Sequence, residues 1–588
     1  MFCYEKKRTI LKFPAHPTRP FATVLLALLL PAACASDSLD IQYTKDMTVD
    51  QVSGGASVSG NYLAGRHAQA VADTSEAVMY LSNALELSPN SQSLLQRTFL
   101  MMASEGRIDE AVPLARKVLA QNSKAPIAKL MVIVADIHAN HFGGAMKKIS
   151  ALPADGINNY MAPLLAAWTS MAQGQTIEDA LSHLSPLKKD GSKPLYYLHK
   201  AFLLDFKGNH EAAIKAYLQE IKEQGSIVLR VAQLLGNLYE RKGDTDKAEA
   251  LYKQFARANP RSSLTREALR LLNSGSTKKS IISTAQQGAA ESFFGIATSL
   301  SQQNAKEMAL FFARMGLYLR PDFPVMQNLL GNLLQLNGQL GNANAVFLAI
   351  DASSAHSWPA RLNAAENLND LEHTDEAART LNAMAKEEPE LADSLIRLGD
   401  IMRVRERYVE AQKAYDRAFK RIGPLQSHHW ALLYARGIVL ERTKQWERAE
   451  ADFLKALELK PDQPSVLNYL GYSWVDQGMH LNRAKGMIQK AADLRPNDGY
   501  IIDSLGWAYF RLGEFANSVK EMERAVELRP EDPVLNDHLG DALWRVGRKL
   551  EARYQWNRVL ILKPKDGLRD QITKKLADGL PDVITKVN

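Results

Sequence analysis

Residues 233–260 read QLLGNLYERKGDTDKAEALYKQFARANP, and the fold turns on this stretch. Leu235-Gly236 and Tyr239 fall on one helical face, Gly243 interrupts, Ala248 and Tyr252 share a second face, and Pro260 follows. Gly236 and Ala248 leave room for two helices to approach closely, and Tyr239 and Tyr252 fill the gaps around that contact. Pro260 has no backbone N–H and stops the second helix. The alanine recurs along the chain as Ala77, Ala111, Ala145, Ala180, Ala213, Ala248, Ala309, Ala343, Ala377, Ala411, Ala449, Ala484 and Ala552, with Ser518 in the same column. The steps lie between 33 and 38 residues except for one of 61. Twelve residues before the anchors stand Gly65, Gly236, Gly331, Gly399, Gly437, Gly506 and Gly540. Twelve residues after them stand Pro89, Pro260, Pro321, Pro389, Pro461, Pro496, Pro530 and Pro564. Three columns in phase exclude coincidence. Each helix pair has an apolar face that it cannot bury alone, so neighbours must stack.

This pattern resembles the tetratricopeptide repeat (TPR), a 34-residue helix–turn–helix unit. The resemblance covers about residues 57–565 and implies an all-α chain, a TPR α-solenoid that winds as a right-handed superhelix of antiparallel helix pairs. The packing columns are then Gly65, Ala77, Gly236, Tyr239, Ala248, Gly331, Ala343, Gly399, Ala411, Gly437, Ala449, Gly506, Gly540 and Ala552. Residues 111–225 keep helical periodicity but lack the glycine and proline partners, and read as degenerate repeats. The 61-residue step encloses a helical run at 264–272 and a polar stretch at 273–280, the expected joint between two superhelical halves. The expected divisions are a leader at 1–33, a flexible tether at 34–56, an N-terminal solenoid at 57–273, a joint at 274–281, a C-terminal solenoid at 282–565, and a capping helix with tail at 566–588.

The leader begins with Lys6, Lys7, Arg8, Lys12 and Arg19, continues with the apolar run FATVLLALLL at 21–30, and ends in small residues. Ten apolar residues are too few to span a bilayer, which takes about 20. The arrangement describes a secretory signal peptide. Two cleavage patterns fit. Ala33-Cys34-Ala35 matches an A-x-A site and a soluble periplasmic product. Leu30-Pro31-Ala32-Ala33-Cys34 resembles a bacterial lipobox, with Pro31 where the family has an aliphatic residue, and would place lipid on Cys34. The chain has only two cysteines, Cys3 and Cys34, which excludes a disulfide framework and favours modification of the lone exported thiol. Ala35 after the cysteine implies, by the same resemblance, the outer membrane. The net charge of +7 partly belongs to the leader, so the chain is not read as a nucleic-acid binder.

The motifs of catalysis are missing: there is no P-loop, no H-E-x-x-H, no C-x-x-C and no G-x-S-x-G. The glycine-rich Ser53–Gly60 stretch lacks a strand–helix context. His138 and His141 stand three apart without a third ligand, and His428-His429 reads as a polar helix start. No cofactor, no metal and no catalytic residue is expected. In TPR superhelices, repeat positions 2, 5, 9, 12 and 13 line the concave groove. In the last three repeats the resemblance puts Asn468, Tyr472, Asp503, Trp507, Phe510, Arg511, Asp537, Asp541, Trp544 and Arg545 there, a set with aromatic and arginine anchors. The lysine clamp of chaperone-tail TPRs is missing, because position 5 holds Gln233 and Asn328 beside Asn237 and Asn332 at position 9. The architecture looks like that of outer-membrane TPR lipoproteins that act as adaptors of periplasmic C-terminal-processing proteases. It resembles them around Tyr62-Leu63-Ala64-Gly65-Arg66-His67-Ala68, Leu470-Gly471-Tyr472 and Asp503-Ser504-Leu505-Gly506-Trp507. That resemblance implies a scaffold that recruits the protease and its substrates, cell-wall hydrolases. The competing expectation is a scaffold for polysaccharide export or peptidoglycan synthesis without a protease.

Overall fold

The computed structural model describes residues 57–581 apart from Asp190, Pro260, Arg261, Ser263 and 273–278. The leader, Cys34 and the tether therefore lie outside the described residues, as do most of the expected joint and the tail beyond Pro581. Two compact units divide between Leu371 and Glu372. The first holds the helix pairs α1 (Val58–Ala70) and α2 (Thr74–Leu87), α3 (Gln92–Glu105) and α4 (Ile108–Gln121), and α5 (Pro126–His138) and α6 (Phe142–Ser150). It continues with α7 (Asn158–Ala172) and α8 (Ile177–His183), α9 (Lys193–Phe206) and α10 (His210–Gln224), and α11 (Leu229–Lys242) and α12 (Thr245–Ala258). A short α13 (Arg266–Leu272) precedes α14 (Ala285–Gln302) and α15 (Lys306–Leu319), α16 (Pro324–Leu336) and α17 (Leu340–Leu348), and α18 (Ser357–Asp370). The second unit holds α19 (Thr374–Glu387), then α20 (Asp393–Val404) with α21 (Tyr408–Arg421), and α22 (Trp430–Arg442) with α23 (Trp446–Leu459). It ends with α24 (Pro464–Asp476) and α25 (Leu481–Leu494), α26 (Gly499–Arg511) and α27 (Phe515–Leu528), α28 (Pro533–Arg545) and α29 (Lys549–Ile561), and a single α30 (Asp566–Asp578). No strand occurs among the described residues, and none of their helices is long and apolar enough to cross a membrane.

A backbone column that the sequence shows only in part ties the repeats together. Five or six residues before each anchor of the alanine column, the chain enters the left-handed region. Glycine takes that place at Gly106, Gly174, Gly208, Gly243, Gly338, Gly478, Gly513 and Gly547. Elsewhere the same turn is made by Ala72, Asn140, Asn304, Glu372, Glu406 and Lys444, with φ between 59° and 66°. The degenerate stretch 111–225 keeps the column at Asn140, Gly174 and Gly208, so it consists of true helix pairs. The fixed turn reverses the chain at a set angle and brings the first helix of each pair onto the second.

The contact inside each pair joins a small residue to a large one. A Cβ built on Gly437 would stand 2.6 Å from Phe453, one on Gly506 2.6 Å from Met522, and one on Gly65 2.9 Å from Leu81. Gly236 against Tyr252, Gly331 against Phe347, Gly399 against Tyr415 and Gly540 against Trp556 are tighter still. The alanine anchors Ala77, Ala248, Ala343, Ala411, Ala449 and Ala552 are wholly buried, and Tyr239 is nearly so. Phe99 explains one failure of the glycine column: it occupies the glycine place in α3, while Ala115 stands where α4 would carry the large residue. Both are buried, so volume has been exchanged across the contact. In the pair α24/α25 one extra residue separates Gly471 from Ala484, and His480 absorbs it at φ 47°.

The expected boundary at 274–281 does not divide the chain, for a physical reason. Helices α14 and α15 fold back onto the first run and pack against α3, α5, α7 and α9, the first helices of its pairs. Gly288 of α14 lies flat on the Trp168 indole of α7, closer than any side chain would permit. Gln286 Nε2 donates to Ile137 O at 3.1 Å and to Asn140 Oδ1 at 3.0 Å. Arg314 Nε donates to Ser104 O at 3.2 Å, and Tyr318 Oη to Asp109 Oδ1 at 2.6 Å. Trp168 ends 1% exposed.

Two substitutions test the two columns. Glu406→Gly relieves a left-handed non-glycine backbone and is expected to raise stability by up to about 1 kcal/mol in urea unfolding. Gly437→Leu forces a side chain into the Phe453 ring and is expected to cost about 2–3 kcal/mol by the same measurement.

Candidate protein-binding groove

Within the second unit, α20 approaches α22, α24 approaches α26 and α26 approaches α28, so the first helices of the pairs form the inner, tighter side of the curve. The repeat positions expected to line this side are held by Ile396, Asp400, Arg403 and Val404, by Tyr434, Ile438, Glu441 and Arg442, and by Asn468, Tyr472, Asp476, Trp507, Phe510 and Arg511. Val404 is 65% exposed. Tyr472 is half-buried, and burial pushes its phenol above the ordinary range. Tyr469 Oη donates to Glu441 Oε2 at 3.1 Å, and Arg511 Nη1 donates to Asp476 O at 3.0 Å. Asn468 Oδ1 and Trp507 Nε1 are buried atoms without a hydrogen-bond partner.

Trp507 is the middle of a stack. Phe510 lies 4.8 Å away with a 6° tilt, and His538 lies 4.5 Å away with a 19° tilt. His538 Nδ1 sits 2.9 Å from Oδ2 of the fully buried Asp503. Burial opposes a charge on His538, but Asp503, with Asp537 and Asp541 behind it, outweighs that and raises the imidazole above its ordinary value. Asp503 is thus spent on holding His538 rather than presented to the groove.

The remaining expected groove residues hold the cap. Lys575 of α30 donates to Asp537 Oδ1 at 2.6 Å and to Asp541 Oδ2 at 2.8 Å. Trp556 Nε1 donates to Asp541 Oδ1 at 3.1 Å. Burial, then the neighbouring Asp537, pushes the Asp541 carboxyl up to about 6 against the pull of Lys575. Gly579 lies against the Trp544 ring, with Trp556 beside it at 5.4 Å. Arg545 Nη1 donates to Pro581 O at 2.7 Å. Asp537, Asp541, Trp544 and Arg545 therefore have partners at the cap of the chain itself, whereas of the other expected groove residues Asn468, Tyr472, Trp507 and Phe510 are half-buried and Arg511 is exposed. Reasoning from repeat positions missed His538 and Lys575: position 6 is not a groove column, and nothing local marks Lys575 as the partner of two aspartates.

In the first unit the inner positions are also spoken for. His138 meets the Tyr318 ring at 4.2 Å with a 30° tilt, and His141 only precedes α6. Among the described residues no group of three or more His, Cys, Asp or Glu could hold a metal. Gln233 meets His356 Nε2 at 3.0 Å, Asn237 donates to Lys279 O at 3.0 Å, and Asn332 accepts from Asn363 at 3.1 Å. Arg230 pairs with the buried Glu291, its Nε 3.0 Å from Oε2, and Arg320 approaches the same carboxylate at 3.6 Å. Ser57 caps α1 by accepting from Gly60 N at 3.0 Å, so the described end of the glycine-rich stretch is a helix start. His429 likewise accepts from Gln426 N at 2.9 Å beside the start of α22.

Family models described as Tetratricopeptide repeat match residues 232–262, 430–463 and 504–567. Solved structures similar to this chain include the APC/C hetero-tetramer Cut9-Hcn1, at 13% identity over 89% of this chain and 96% of that one, with a TM-score of 0.37. A tetratricopeptide repeat protein from Parabacteroides merdae matches at 14% identity over 42% and 96%, TM-score 0.35. Pseudomonas aeruginosa pilF matches at 19% identity over 32% and 85%, TM-score 0.27. No curated protein sequence matches the chain. The chain carries tetratricopeptide repeats, and its fold is the all-helical TPR solenoid.

The cap cluster makes stability depend on pH. The folded pKa of Asp541 lies above its unfolded value, so its contribution is full below about 4 and is lost as pH rises through about 6. His538, also raised, contributes fully below its unfolded pKa and loses that contribution as pH rises through its folded value. Lys575 titrates above this window. Asp541 and His538 together are expected to weaken the last repeat between pH 5 and 8 by on the order of 1 kcal/mol. Urea midpoints measured across that range should fall, and Asp541→Asn should flatten the slope.

Proposed function

We propose that the chain is a non-catalytic protein-binding scaffold whose working surface is the inner face of the second unit, from α20 to α26. The observation that supports this reading most is the contrast between two inner faces. That of the first unit is covered by α14 and α15, while that of the second keeps Val404, Tyr472, Phe510 and Arg511 accessible. Aromatic and arginine side chains are the usual anchors of an interface, worth about 2 kcal/mol or more each when a partner buries them.

The finer reading places the scaffold on the periplasmic face of the outer membrane, held by lipid on Cys34, with a soluble periplasmic form as the alternative. There it would recruit a C-terminal-processing protease and its cell-wall hydrolase substrates. Confinement to one surface raises effective concentration without adding a contact. The lone exported cysteine at the end of the apolar run and the N-terminal resemblance support this. A scaffold for polysaccharide export or peptidoglycan synthesis is the second reading, favoured by the same open face.

Capture from detergent-solubilised envelope, followed by mass spectrometry, tests both. Tyr472→Ala with Arg511→Ala is expected to reduce capture at least tenfold with helicity unchanged, and undiminished capture would refute the groove assignment. Recovery of synthase or export components without a processing protease would decide against the adaptor. Trp544 is unsuited to this test because it holds the cap. Cys34→Ala is expected to move the protein from the membrane to the soluble fraction, and continued membrane association would contradict lipidation.

A further inference from the structure

In the second unit the first helices of the pairs form the inner side, and the second helices turn a face outward to solvent. On α29, the last of these second helices, that face is apolar. Leu550 is 75% exposed, Tyr554 72% and Ile561 77%. Spacings of four and seven residues place the three within about 40° of one another around the helix, in a stripe about 16 Å long. The alanine column identifies the equivalent places on earlier second helices. Two residues after the anchor, where α29 has Tyr554, stand Ala451, Gly486 and Lys520. Nine residues after it, where α29 has Ile561, stand Glu458, Asp493 and Glu527. All six are exposed, so the repeat itself does not ask for apolar side chains there. Apolar residues scattered singly over a surface are ordinary, but three large ones in one stripe mark a contact surface.

The charge around the stripe points to what it contacts. Residues 548–588 carry ten Lys and Arg against five Asp and Glu. Helical geometry puts Arg553 and Arg558 on the two borders of the stripe. Arg553 donates to Leu576 O and Arg558 Nη2 to Pro530 O at 3.1 Å, and these neutral carbonyls leave both charges in place. Lys563 stands exposed two residues beyond Ile561. Glu551, the one acid of α29, is held by Arg548 at 2.7 Å. A second copy of the chain would bring the same positive border against this one, and like charges oppose that pairing. A stable protein interface takes about 1,000 Å² or more of matched relief, whereas three side chains projecting from one helix suit a fluid surface that moulds itself to them.

We propose that the α29 stripe rests on the anionic surface of a phospholipid bilayer. Leu550 and Ile561 enter the boundary between headgroups and acyl chains, and Tyr554 keeps its hydroxyl at the headgroup level. Arg553, Arg558 and Lys563 meet the lipid phosphates. The helix lies on the membrane without crossing it, and this contact is independent of lipid on Cys34.

The experiment uses residues 35–588, which keep every described helix and lack both the apolar leader and Cys34, so that neither can hold the protein to a bilayer. Flotation with vesicles of phosphatidylglycerol mixed with phosphatidylcholine, or of phosphatidylcholine alone, reads the contact. Binding is expected to the mixed vesicles and at least tenfold weaker to phosphatidylcholine, and to decline as salt is raised. Leu550→Ser/Tyr554→Ser/Ile561→Ser is expected to reduce it at least tenfold, and the control Val409→Ser, exposed on α21, to leave it unchanged. The three substituted side chains stand in solvent, so the fold is retained, which unchanged far-UV circular dichroism verifies. No binding to the mixed vesicles, equal binding to both kinds, or binding that the triple variant keeps overturns the proposal. A dimer in sedimentation equilibrium that the triple variant dissociates, without vesicle binding, overturns it in favour of a second copy.

Discussion

The structure depends on a volume constraint inside each helix pair. Where Gly437 meets Phe453, or Gly399 meets Tyr415, the first helix contributes nothing beyond its backbone and the second contributes a ring. Protein interiors tolerate neither a void nor an overlap at such a contact, so the pair has one spacing. The left-handed residue before the second helix gives it one turn. Spacing and turn repeated along the chain bring the first helices closer together than the second ones, and an inner face results. The inner face is therefore a consequence of packing and not of any separately built pocket.

An inner face can be used in two ways, and both occur here. In the first unit the chain supplies its own occupant. Gly288 on Trp168, Arg314 on Ser104 O and His138 on Tyr318 consume positions that a partner would otherwise take. A buried tryptophan released from that contact would expose a large apolar surface, so the cover is structural. In the second unit the chain closes only the end. Lys575 bridges Asp537 and Asp541, and Gly579 lies on the Trp544 ring, while Tyr472 and Phe510 stay half-exposed and Arg511 exposed.

Equivalent positions thus carry different duties. Tyr472, Trp507 and Asp541 share repeat position 9, yet the first is half-open, the second is stacked between Phe510 and His538, and the third binds Lys575 and Trp556. Column arithmetic assigns all three to the groove because it sees one repeat at a time. His538 and Lys575, which set the second and third apart, lie about one repeat away from them, and the helices α14 and α15 that fill the other inner face lie more than one hundred residues from some of their partners. The same blindness hid the pair α3/α4, where Phe99 and Ala115 had merely exchanged sizes across one contact.

By itself the sequence determined the repeat, its period, its helices and the columns that pack them, because those follow from local spacing and from neighbours one repeat apart. Residues so close in the chain meet in any conformation that buries the apolar stripe. Only the tertiary structure decided where the units divide, which inner face is filled and which expected anchors hold the cap. Those outcomes rest on contacts between distant segments, whose complementarity of shape and charge no periodicity records.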